Sequence, residues 1–356
     1  MIIVINTQSH SSSYTAFIIH SFVELATKQK PHQFIFWLTQ ATTIELPTNC
    51  SIVMVKPIPL NKLSQKYWYN YRIPTLLKKC RATHYFNLAG IISNSTTVHQ
   101  YLFLSLPANE DATILPLQLQ HYYGKTAHEQ LNKAKQLITF STQEKNKIEA
   151  YSPSLANKTS ILPLAANTTF NTLFWEKQEE IKVKYTNGNS YFLAHYPTIT
   201  KEEFTTLLKA FTQFKQWQKS SMHLIIYSTA IPLQIQDLLN SYKYKGDVQL
   251  MTLLPQKNYA DILASAYAFI FADTEHYLPL PVVEAMQCQV SVIMPTALKS
   301  VFSEAGAFAS FTDIKSIAQQ LILLYKDEEY RNTLIQKGFH FTTSPQSNNT
   351  LWEILN

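Results

Sequence analysis

Glycine is nearly missing from this chain. Its 356 residues include six, at positions 90, 124, 188, 246, 306 and 338, where ordinary usage would give about four times as many. Glycine lets a backbone take positive φ and come close to a ligand, so loops that cradle a diphosphate by main-chain approach are thinly provided for. Two readings of this scarcity stand side by side: compositional drift toward Asn, Lys, Thr, Ser and Gln, and ligand loops that no longer do that work. Arginine is scarcer still, with only Arg72, Arg81 and Arg331, so the formal charge of +6 rests on lysine. That argues against a dedicated phosphate or nucleic-acid reader, which would draw on the bidentate guanidinium fork. The three cysteines, Cys50, Cys80 and Cys288, have neither metal nor redox spacing and read as reduced, packed thiols of a cytosolic protein. No Asp-x-Asp pair occurs and the histidines show no ligand spacing, so no metal is implied. No run approaches the ~20 apolar residues of a membrane span. Met1–Asn6 is apolar without a basic leader, and reads as a first strand rather than a signal peptide.

What is present is a long alternation of strands and helices. The length suits two domains, and a hydrophobic content of 46% supplies both with cores. Met1–Asn6 is followed by the polar loop Thr7–Ser13 and by an amphipathic helix over Tyr14–Lys28, in which Phe17, Ile18, Phe22, Leu25 and Ala26 recur at helical spacing. Gln33–Leu38 and Ser51–Val55 read as strands. His128–Leu137 leads as a helix into Leu137–Ser141, and Ser141 or Thr142 with Glu144 makes a helix start. Residues 165–189 are polar and turn-rich, and the domain boundary belongs there. The second half repeats the pattern, with strands at Tyr191–Tyr196, Met222–Tyr227, Val248–Thr252, Ala268–Ala272 and Val290–Met294 and helices between them. Such alternation predicts parallel sheets covered on both faces, joined by right-handed crossovers: an α/β chain of two Rossmann-like domains.

One stretch organises the rest. Ala268–Ala272 is a buried-strand run, Pro279 and Pro281 break it, Val282–Cys288 makes two helical turns, and Val290–Met294 is a second buried strand. Ligands of parallel sheets sit beyond the carboxyl ends of their strands, and free N–H groups at the start of this helix would favour an anion there. Glu284, about one turn in, would reach a sugar hydroxyl.

This stretch resembles the donor-site segment of the retaining family 4 (group 1) glycosyltransferases of the GT-B fold, which reads Glu-Gly-Phe-Gly-Leu-Pro-x-x-Glu-Ala-Met. Leu280-Pro281-Val282-Val283-Glu284-Ala285-Met286 matches its second half. In the first half, the family's Glu falls on His276 with Glu275 beside it, and the two glycines fall on Tyr277 and Pro279. Ala134–Gln143 resembles the family's Thr-Val-Ser-Glu strand before a helix, and the matching frame runs from about Lys62 to the C-terminus. The family's His and Asp beside the donor sugar align with Leu104 and Ser105, and its Arg-Lys pair with Lys201 and Glu202. A cation pair there steadies negative charge growing on the leaving diphosphate. Read without the family, Lys201-Glu202-Glu203 is a solvated first helical turn with its acids at the favourable end of the macrodipole.

The resemblance implies a GT-B fold with two Rossmann-like domains facing a central cleft. It places the acceptor domain over residues 1–168, the nucleotide-sugar donor domain over 169–338, and over 339–356 a helix returning to the first domain. It implies sugar transfer with retention from a nucleotide-diphosphate sugar to a glycan, lipid or other acceptor, without metal or other cofactor. Glu284, with Leu280, Pro281 and Val282, would hold the nucleotide, Lys201 the diphosphate, and Glu275 or His276 the sugar hydroxyls. Two alternatives stay open on the same residues. One is a catalytically inactive relative acting as a glycan binder or as partner of an active transferase. The other is a membrane-surface module built on the basic, aromatic segment Lys62–Arg81, interrupted at Pro74, which would place the protein at the inner membrane surface.

Overall fold

The computed structural model describes residues 1–8, 12–39, 46–56, 61–104, 117–197, 199–273, 279–343 and 350–355. The chain divides into two compact units, Met1–Leu164 with Pro345–Asn356, and Ala165–Ser344.

The first unit is built on seven strands: β1 (Ile2–Asn6), β2 (Gln33–Leu38), β3 (Cys50–Met54), β4 (His84–Asn87), β5 (His99–Phe103), β6 (Gln136–Thr139) and β7 (Thr159–Ile161). They pair in parallel in the order β3-β2-β1-β4-β5-β6-β7. Runs such as Ile3-Val4-Ile5 are buried throughout, as strands covered on both faces must be. The helix Ser12–Lys28 buries Phe17, Ile18, Phe22, Leu25 and Ala26, and Phe22 meets Phe86 of β4 edge-on at 4.8 Å. Ser141 caps the helix Thr142–Tyr151: its hydroxyl accepts from the Glu144 N–H at 3.2 Å, and the Glu144 carboxylate accepts from the Phe140 N–H at 2.7 Å. The helix Thr350–Leu355 also belongs to this unit, where Trp352 stacks on His32 at 5.3 Å.

The second unit carries β8 (Tyr191–Tyr196), β9 (His223–Ser228), β10 (Val248–Met251), β11 (Ala268–Phe271), β12 (Ser291–Pro295) and β13 (Ala307–Ala309), all parallel, in the order β10-β9-β8-β11-β12-β13. Both sheets are doubly wound, as the alternation of elements predicts. Strand order reverses between β1 and β4 in one and between β8 and β11 in the other, and such reversals open the crevice where ligands bind.

Two expectations need correction. Residues 165–189 are not a turn-rich connection throughout, because Trp175–Thr186 is a helix ended by Asn187 in the left-handed conformation. Its sequence is strongly charged and buries only Ile181 and Thr186, so it lacks the apolar stripe that would betray it. Pro74 does not interrupt the basic segment either. The helix Lys62–Tyr67 continues through a π-turn, Trp68–Arg72, into the helix Ile73–Lys79. Pro74 supplies no N–H to the Asn70 carbonyl, and the ladder widens there, with the Ile73 N–H reaching back five residues to the Trp68 carbonyl.

The helix Glu328–Thr343 packs on the helix Leu280–Gln287. Gly338 makes that approach: a Cβ there would lie 2.9 Å from Met286 Cγ. Gly338→Val is therefore expected to destabilise the second unit by about 2 kcal/mol through overpacking, a fall of roughly 4–8 °C in Tm that a calorimetric scan would show. Among the described residues no helix is long and apolar enough to cross a membrane.

Candidate active site at the carboxyl edge of the second sheet

The strands that flank the reversal, β8 and β11, lead into the two helices singled out above. β8 runs through Pro197 to the helix Lys201–Trp217, and β11 runs to the helix Leu280–Gln287. Topology alone thus brings Lys201 and the Glu284 helix to one edge of one sheet, on adjacent strands.

The Lys201 helix begins with a reciprocal cap. The Thr200 hydroxyl accepts from the Glu203 N–H at 3.2 Å, and the Glu203 carboxylate accepts from the Thr200 N–H at 2.8 Å. Lys201 and Glu202 are exposed, and Lys201 forms no ion pair among the described residues. The Glu284 helix starts differently. Pro279 precedes it without a side-chain cap, Pro281 has no N–H, and the Val282 N–H donates back to the Pro279 carbonyl at 3.1 Å. Its first turn therefore offers fewer free N–H donors than the sequence reading assumed. Leu280, Pro281 and Val282 are all buried, so their side chains build the support of the site. Glu275 and His276, together with Tyr277 and Ser105, lie outside the described residues. Leu104, the other residue aligned with the family's His–Asp pair, is buried beyond the end of β5.

Glu284 is the anomaly of the site. It keeps part of its surface accessible, yet its carboxyl forms no hydrogen bond or ion pair among the described residues, and desolvation pushes it up from an ordinary 4.5 to about 8. Near neutrality it is mostly the neutral acid, able both to donate and to accept. Its surroundings explain the shift. Tyr227, His195 and Phe271 stand in register on β9, β8 and β11, and Tyr259, from the helix Gln256–Ala264, packs on them with ring centroids 4.7 Å from Tyr227 and 5.8 Å from His195. Burial first, then the nearness of Glu284, raises both the Tyr227 and the Tyr259 hydroxyls. The Tyr259 hydroxyl is buried and has no partner among the described residues. Burial and Glu284 also push the Cys288 thiol up to about 12, so it is inert. Sequence reasoning did not single out His195, Tyr227 or Tyr259. Their only signal was polar or aromatic residues near the carboxyl ends of successive strands, and register is needed to see the row.

The reversal in the first sheet carries amides. Asn6 ends β1 and Asn87 ends β4, and they are register partners. Asn6 Nδ2 donates to the Tyr85 hydroxyl at 3.0 Å and to Asn87 Oδ1 at 3.3 Å, and Asn87 Nδ2 donates to the Ile91 carbonyl at 2.6 Å. Gln8 follows, buried, its Oε1 without a partner among the described residues.

Comparison with known proteins accords with this geometry. Residues 176–341 match the family model of glycosyl transferases group 1. The chain is 21% identical over 248 residues to the O-antigen chain mannosyltransferase B of Escherichia coli, covering 68% of this chain and 64% of that protein's length. A glycosyltransferase of Rickettsia africae superposes with a TM-score of 0.75 at 13% identity, over 100% of this chain and 98% of that one. HepE of Anabaena, solved with UDP-glucose, superposes with a TM-score of 0.73 at 12% identity, over 100% and 99%. The chain has the GT-B fold and is glycosyltransferase-like, and its second unit is similar, over residues 176–341, to the group 1 glycosyl transferases.

Proposed function

We propose that this protein binds a nucleoside-diphosphate sugar at the carboxyl edge of its second sheet and transfers the sugar, with retention, to a glycan or lipid-linked acceptor. The observation that carries the reading is Glu284: an unpartnered, desolvated carboxyl at the strand-order reversal. A carboxyl so placed costs stability unless a ligand supplies partners, and a ribose offers two adjacent hydroxyls. Lys201, on the neighbouring crossover, supplies a cation for the diphosphate. Glu275 and His276 remain the groups proposed for the sugar hydroxyls. The first unit, residues 1–168 in this reading, takes the acceptor, with Asn6, Gln8 and Asn87 at its own reversal. Residues 169–338 take the donor.

A lipid-linked acceptor accords with the surface of the π-turn segment. Leu63, Tyr67 and Tyr71 are exposed there, the two tyrosines stacked at 5.5 Å, among Lys62, Lys66, Arg72, Lys78 and Lys79. Apolar side chains ringed by cations suit peripheral contact with an anionic bilayer.

The test is a thermal-shift screen of UDP, GDP, ADP and TDP with their hexose conjugates. One of them at a hundredfold excess over its Kd stabilises by about 2.7 kcal/mol, and Glu284→Ala is expected to abolish that protection. Failure of every nucleotide to protect the parent protein would overturn the assignment.

A further inference from the structure

The opposite, amino edge of the first sheet is lined with nitrogen bases and lysines. The Met1 ammonium and His32 lie ahead of β1 and β2, His84 and His99 open β4 and β5, and Lys135 and Lys158 immediately precede β6 and β7. The Met1 nitrogen is 3.1 Å from His32 Nδ1, the His84 and His99 rings are 5.7 Å apart, and Lys135 Nζ lies 5.9 Å from the Tyr101 ring. Burial first, then the nearness of His99, Lys135, the amino terminus and His32, holds His84 down to about 4.

A pocket of about 640 Å³ opens on this edge between residues 92–100 and Lys133–Lys135. Its wall is pre-set by hydrogen bonds. Buried Gln100 holds Ser93 from both sides, Oε1 accepting from the Ser93 N–H and Nε2 donating to the Ser93 carbonyl, each at 2.8 Å. The Asn94 N–H donates to Asn70 Oδ1 at 3.0 Å, and Lys133 Nζ donates to Asn94 Oδ1 at 2.8 Å. The Ser93 hydroxyl, on a residue only 2% exposed, has no partner among the described residues. Lys133 and Lys135 supply the charge of the lining, and none of the lining residues is acidic.

We propose that this pocket binds an organic phosphate, a phosphomonoester whose other end carries hydroxyl groups. Lys133 and Lys135 act as point charges for the phosphoryl oxygens. The amides and hydroxyls around Ser93, with Thr96 and Thr97, match a polyol, and the volume suits a molecule of sugar-phosphate size. The site stands at the amino edge of the first sheet and shares no residue with the candidate nucleotide site, so it does not rest on the nucleotide reading.

Isothermal titration of the full chain with glucose 6-phosphate and glycerol 3-phosphate tests it, with inorganic phosphate as the minimal probe and glucose, glycerol and ionic-strength-matched KCl as controls. Saturable binding of an ester, tighter than inorganic phosphate and absent for the neutral polyols, is expected. The double variant Lys133→Gln, Lys135→Gln is expected to weaken it about tenfold or more, and Ser93→Ala to weaken it less. Protection by a nucleotide in the screen above should be unchanged in these variants. No saturable heat, equal heat from KCl, or parent-like affinity in a folded double variant would overturn the proposal. Equal affinity for inorganic phosphate and both esters would overturn its polyol half. Should the double variant fail to fold, Lys135→Gln and Ser93→Ala, each measured alone, decide in the same way.

Discussion

Glu284→Gln is expected to make the protein more stable at pH 8 and to leave it unchanged at pH 4. The folded carboxyl titrates at about 8 against an ordinary 4.5. Below 4.5 the group is protonated whether the chain is folded or not, and contributes no difference. Between 4.5 and 8 the unfolded chain releases a proton that the folded chain keeps, so the folded state binds more protons and stability falls as pH rises. Above 8 both forms are ionised and the loss is complete. A shift of this size, discounted for the accessible side of the residue, corresponds to roughly 3 kcal/mol. Glutamine has nearly the same shape and no charge to desolvate, so it should recover most of that, on the order of 5–10 °C in Tm at pH 8. Unfolding curves of parent and variant from pH 4 to 9 give the answer: two parallel curves would show that the carboxyl is not desolvated. A variant that gains stability while losing nucleotide protection would identify Glu284 as a group kept for its ligand at the expense of the fold.

The second large effect falls on rate. Lys201→Ala should lower sugar transfer by roughly 10²–10³, with Tm nearly unchanged. The argument is electrostatic. As the bond to the sugar breaks, charge grows on the diphosphate oxygen, and a cation already in place stabilises it without reorganisation. The neighbouring Glu203 carboxylate is engaged in the cap with Thr200, and Lys201 has no ion-pair partner among the described residues to divert it. As an exposed first-turn residue, Lys201 contributes about 0.5 kcal/mol or less to folding. Single-turnover transfer measured on parent and variant separates the two quantities. A rate within about threefold of the parent would remove Lys201 from the chemistry.

The doubly wound sheets were legible because their strands announce themselves. Runs such as Ile3-Val4-Ile5 and Ala268–Phe271 are apolar on both faces, and the helices between them carry stripes such as Phe17, Phe22 and Leu25. The helix Trp175–Thr186 was illegible for the converse reason, since a helix that buries two residues leaves no stripe. The place of Glu284 on a short helix after a buried strand could be read from Pro281 and the apolar runs around it. The state of its carboxyl could not. That depends on Tyr227 and Tyr259, which come from a different strand and a different helix and meet Glu284 only through the register of β8, β9 and β11. Residues 274–278, on which Glu275 and His276 fall, lie outside the described residues.

The widened turn at Trp68–Arg72 has a consequence for length. An α-helix turns by about 100° with each residue, so the extra residue accommodated there sets the rotation of all that follows. With it in place, Ile73 and Leu77 point into the core while Tyr67 and Tyr71 share the open face. Deleting any one residue between Trp68 and Arg72 would leave Pro74 in place and rotate Ile73–Lys79 by about 100° relative to the turn before it, so the two aliphatic anchors could no longer face the interior while that turn keeps its own orientation. The segment thus tolerates substitution far better than it tolerates shortening: its spacing acts as a rotational gauge, independent of which side chains fill it.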